Sequence, residues 1–82
     1  GPHRGPSTVL FTDLMPGQIA WIEAPWTPSV GGIADADGRL TLNIWYAGEA
    51  TLRTDDWSHS VVLTPGSWDN FQLQSATTRA HP

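Results

Sequence analysis

An aromatic ring, an amide, a hydroxyl, a carboxylate and a guanidinium fall within one short stretch of this chain: Trp45, Asn43, Thr41, Glu49 and Arg53. A sugar offers an apolar C–H face and a rim of hydroxyls, and this set suits it. The indole stacks, and the amide, carboxylate and guanidinium satisfy the rim. The same residue types make protein–protein hot spots, where Trp and Arg dominate. The plainer alternative is that another strand or chain covers this face and Trp45 is core. Trp26, held between Pro25 and Pro28, is the sixth candidate. Prolines pre-order a loop and lower the entropy cost of presenting a side chain. For Trp26 the favoured alternative is a lid folded back on the core, because a lone exposed Trp is unusual in a monomer.

Five tryptophans in 82 residues make this division between core and contact the central question. Trp21 is assigned to the core and Trp68 to its edge. Trp57, beside Asp55, Asp56 and His59, is left open between a core and a contact role.

Other reactive types are present without a pattern. Asp55, Asp56, Ser58 and His59 are types used in acid–base and nucleophilic chemistry, but catalytic partners are assembled in space, not along the chain. No catalytic residue is assigned, and the chain is read as not an enzyme. Asp35-Ala36-Asp37-Gly38 resembles part of a calcium loop. Setting Gly38 at loop position 6 puts Ile33 and Ile44 at the ligand positions 1 and 12, which rules the motif out. There is no cysteine, and two of the three histidines, His3 and His81, lie near the chain ends. No metal set and no cofactor is expected.

Bulk properties narrow the partners. Net charge is −4 with four arginines and no lysine. Such a chain cannot supply the cations that neutralise nucleic-acid phosphates or draw a protein to an anionic membrane. No apolar run approaches the roughly 20 residues of a spanning helix. Gly1–His3 reads as the remnant of a cleaved tag, which points to a domain cut from a longer protein. Compartment is left unassigned.

The elements that must position the candidates are strands. Seven prolines and eight glycines punctuate short alternating runs, which predicts an all-β fold. Thr8–Thr12 is the first strand, followed by a turn at 13–17. Gln18–Glu23 is apolar in both phases, so it is read as a central or interface strand buried on two sides. Residues 24–32 read as a loop. Asp37-Gly38 signals a type I′ hairpin, setting Ala34 and Ala36 beside Thr41 and Arg39. A three-residue Tyr46-Ala47-Gly48 loop would pair Ile44 with Ala50, Leu42 with Leu52 and Leu40 with Thr54, keeping one apolar face. That register sets Trp45, Asn43, Thr41, Glu49 and Arg53 together on the opposite face. Asp55–Ser58 is a turn, Ser60–Thr64 a strand, Pro65-Gly66 a type II turn. Trp68–Gln74 is the last strand, with Phe71 and Leu73 inward, and 75–82 a polar tail.

The sum is a single all-β domain over 8–74, a small antiparallel β-sandwich or barrel of six to seven short strands. Its expected core is Leu10, Ile19, Trp21, Ile22, Leu40, Leu42, Ile44, Leu52, Val61, Leu63, Phe71 and Leu73. The expected function is a non-catalytic protein–protein interaction or assembly module. Its partner would be another protein, a domain of the same parent, or a second copy in a homodimer. The alternative is a carbohydrate-binding accessory module with Trp45 as its stacking platform.

Overall fold

A computed structural model describes residues 6–66 and 73–78. The described residues form seven strands and no helix: β1 Ser7–Thr12, β2 Ile19–Ala24, β3 Thr27–Ile33, β4 Leu40–Ile44, β5 Gly48–Thr54, β6 Ser58–Leu63 and β7 Leu73–Thr77. They make two packed sheets, ordered β4-β1-β7 and β3-β2-β5-β6. The all-β expectation holds as a sandwich, and among the described residues no barrel closes. One pair departs from the antiparallel rule, since β1 and β7 run parallel.

Alternation explains which residues meet between the sheets. From the three-stranded sheet come Val9, Phe11, Leu42, Ile44 and Ala76. From the four-stranded sheet come Ala20, Ile22, Ala50, Leu52 and Leu63. Phe11 is fully buried and meets Trp57 edge-to-face at 6.5 Å. This places Trp57 at the margin of the core, where His59 stacks on its outer side at 5.9 Å.

Several expectations are corrected. Leu40–Ile44 and Gly48–Thr54 do not pair. β4 pairs with β1, whereas β5 lies between β2 and β6. Their apolar residues share an interior because they face each other across the sandwich. The link between them crosses from sheet to sheet, fixed where the Ser7 hydroxyl donates to the Tyr46 carbonyl at 2.6 Å. Asp37-Gly38 likewise turns the chain between sheets and closes no hairpin. Of the two, only Gly38 has positive φ, at 74°, and a type I′ turn needs both. A Cβ at Gly38 would lie 2.2 Å from the Leu14 carbonyl oxygen, so this approach requires glycine.

The 24–32 stretch is no loop. Ala24 pairs with Thr27 across a two-residue turn into β3. β1 is shifted in phase, with Val9 and Phe11 inward and Leu10 on the outer side. The expected inward Leu10 is thus overturned, because three successive apolar residues fit alternation in either phase. β2 is central, as expected, yet buried on one side only: Ala20 and Ile22 point in, Ile19 is 53% exposed and Trp21 half-buried. Leu73 is also exposed. Ser75–Thr78 belong to the fold and not to a tail. Ser75–Thr77 lie in β7, and Thr78 donates from its amide and hydroxyl to the Thr12 carbonyl. Trp68, Phe71 and most of the Pro65-Gly66 turn's exit lie outside the described residues.

Candidate functional site

The sandwich splits the six candidates in two. Thr41, Asn43 and Trp45 lie along the outer side of the three-stranded sheet. Asn43 pairs with Thr8, whose hydroxyl donates to the Asn43 Oδ1 at 2.8 Å, and Thr41 pairs with Leu10. Trp45, just beyond β4, is 60% exposed. Glu49 and Arg53 alternate outward from β5, on the opposite outer face. The single face expected from a β4–β5 hairpin does not exist, because those strands belong to different sheets.

The outer face of the four-stranded sheet carries a connected set that includes two residues the sequence reading placed elsewhere or passed over, Trp21 and Glu23. Trp21 sits opposite Gly31 on one side and Arg53 on the other. Gly31 leaves the indole room, since a Cβ there would approach the Trp21 Cβ to 3.0 Å. The indole Nε1–H donates to Glu23 Oε2 at 2.8 Å. The Arg53 Nε–H donates to Glu23 Oε1, also at 2.8 Å. The indole hydrogen bond is the main reason the Glu23 carboxyl is held below the usual carboxylate range. Partial burial opposes it, and the Arg53 hydrogen bond and charge add to it. Trp21 is half-buried on the outer face and not in the core. A signal for this was present: Ile19, Trp21 and Glu23 share one phase of the strand, and a carboxylate in a phase marks its solvent side.

Beside Glu23 the sheet opens. Pairing of β2 with β5 stops at Glu23 and Thr51, while β5 stays paired with β6 as far as Gly48 and Leu63. The register of β2 against β3 also shifts between Ile22 and Ala24. The separating arms leave a cleft of about 740 Å³, lined among others by Glu23, Pro25, Glu49, Thr51, Ser60 and Val62.

Trp26 caps the β2–β3 arm that borders this cleft. It is 99% exposed, so it is no lid on the core. Its φ is 67°. Pro25 followed by a residue of positive φ is the pattern of a type II turn, whose second central position ordinarily takes Gly or Asn. The absence of such a residue hid the hairpin from the sequence reading.

The remaining reactive types do not converge. Asp56 accepts from the Thr54 hydroxyl, and His59 stacks on Trp57. Asp35 Oδ1 accepts from the amides of Asp37 and Arg39, which accounts for its place in the turn. No group of three or more His, Cys, Asp or Glu that could hold a metal occurs among the described residues. Comparison with protein-family models, curated proteins and solved structures finds no match to the chain.

Proposed function

We propose that this domain is a non-catalytic protein–protein interaction or assembly module. Its contact region is the Trp26 turn with the adjoining outer face of the four-stranded sheet. One observation carries the reading: Trp26 is 99% exposed at a backbone position of φ 67°. A left-handed residue other than glycine costs roughly 1–2 kcal/mol, and a large indole left in water forgoes the burial that normally repays its presence. Both costs are removed by glycine at this position, so folding does not account for the tryptophan. Burial of the indole in a partner does, as for other tryptophan hot spots.

The test pans displayed random peptides against the wild-type domain and against Trp26→Gly. The variant should keep its thermal midpoint, and wild-type binders should fail on it. Binders recovered equally by both proteins, or by neither, overturn the reading. Light scattering over a wide concentration range, on both proteins, then tells a second copy from a different partner. A wild-type dimer lost in Trp26→Gly would identify the partner as the domain itself.

A glycan on Trp45 is the second reading, favoured by the 60% exposure of that ring beside Asn43 and Thr41. It is the weaker of the two, because Glu49 and Arg53 lie on the other face and cannot complete the hydroxyl-binding rim.

A further inference from the structure

We infer that the cleft between the β2–β3 and β5–β6 arms takes an arginine or lysine side chain of a partner polypeptide. This rests on the interaction reading above and names the chemistry of the partner.

The lining selects the occupant by charge. Two carboxylates border the cleft, Glu23 and Glu49, together with the hydroxyls of Thr51 and Ser60. Glu23 is engaged by Trp21 and Arg53. Among the described residues Arg53–Glu23 is the one ion pair, so the Glu49 carboxylate is left with its charge uncompensated. Among the described residues no basic side chain lines the cleft. An acidic partner side chain would be repelled. An apolar one would strip water from carboxylates with nothing to replace it. A long basic side chain meets both demands, because its methylene stem packs on Pro25 and Val62 while its head donates to Glu49 and the hydroxyls.

Strand addition is a poorer fit than side-chain insertion. β5 lacks β2 as a neighbour over 48–50, but the Tyr46 hydroxyl already donates to the Glu49 carbonyl at 2.8 Å. An added strand would have to displace it. A side chain entering past the Trp26 turn would not.

Two displayed libraries of short random peptides test the inference, one with a fixed central arginine and one with glutamine in its place. Wild-type protein should enrich binders from the arginine library. Those binders should weaken about tenfold on Glu49→Gln, the loss of one charge-assisted contact. They should also weaken as salt rises and be unaffected by Trp45→Ala on the opposite face. Thermal melts of each variant confirm that the fold is retained. Equal enrichment from the glutamine library, lost in Trp26→Gly, overturns the basic-side-chain inference and leaves the interaction reading standing. No enrichment from either library overturns both, as does binding of glycans alone.

Discussion

The two outer faces of this sandwich are built from similar residues and differ in how those residues are joined. On the three-stranded sheet, Thr8, Leu10, Thr41 and Asn43 form neutral cross-strand pairs, with one hydrogen bond from Thr8 to Asn43. On the four-stranded sheet, Trp21, Glu23 and Arg53 form a chain from indole to carboxylate to guanidinium. The first face mixes hydroxyl and amide groups with Leu10 and Leu73, and Trp45 lies just beyond its β4 end. The second ends in a cleft, because β2 and β5 part beside Glu23. Exposed aromatic residues occur at both. The described cleft and, among the described residues, the Glu49 charge with no basic partner lie at the second, and this asymmetry is the ground for proposing it as the contact surface.

Substitutions can break or sharpen this contrast. The largest effect is expected within β2, whose two sides separate the core from the outer face. Ile22→Ala should cost about 2–5 kcal/mol, as for a fully buried aliphatic residue. Ile19→Ala on the outer side should cost less than about 1 kcal/mol. Denaturant midpoints measure both, and the reverse order would turn the four-stranded sheet inside out.

Next is Gly31→Ala, whose new methyl would crowd the Trp21 Cβ and the Ala20 carbonyl. A loss of about 1–3 kcal/mol is expected, with a change in tryptophan emission as the indole is displaced. Unchanged emission would mean that Trp21 does not lie over this glycine.

Trp21→Phe removes the hydrogen bond that most lowers the Glu23 pKa. A depressed carboxylate pKa stabilises the fold above the unfolded-state value, and that stability is lost as pH falls through the lowered native value. The Glu23 titration, followed by NMR, should therefore move upward in the variant. Acid unfolding should begin at higher pH than in wild type. An unmoved Glu23 would assign the shift to Arg53 alone.

The smallest effect belongs to Trp26→Gly. Relief of the left-handed strain offsets the extra unfolded-state entropy of glycine, so stability should stay within about 0.5 kcal/mol of wild type. A large loss would mean that the indole packs on its own domain and would remove the ground for the proposed contact.

Much of the fold was legible in the chain. Turn residues and period-two runs located most of the strands, and Leu42, Ile44, Ala50 and Leu52 were assigned inward and are inward. The pairing of β4 with β5 was not legible. Two strands with one apolar phase each satisfy alternation equally well side by side or face to face. Phase was misassigned in Thr8–Thr12, and Gln18–Glu23 was read as buried on both sides, because apolar residues there occupy both phases. The candidate site suffered most, because its membership depended on that pairing. Arg53, Glu49 and Trp26 remain near the four-stranded face, Trp45, Asn43 and Thr41 leave it, and Trp21 and Glu23 join.

By itself the sequence determined an all-β chain, most of its turns and strands, and the types of chemistry its surface can offer. Those follow from local rules: turn conformations, alternation, and the functional groups each residue carries. Tertiary structure decided which strands are neighbours, hence which side chains share a face and where a cleft opens. Such choices depend on contacts between residues far apart in the chain, as between Glu23 and Arg53 or Ser7 and Tyr46, and no local pattern encodes them.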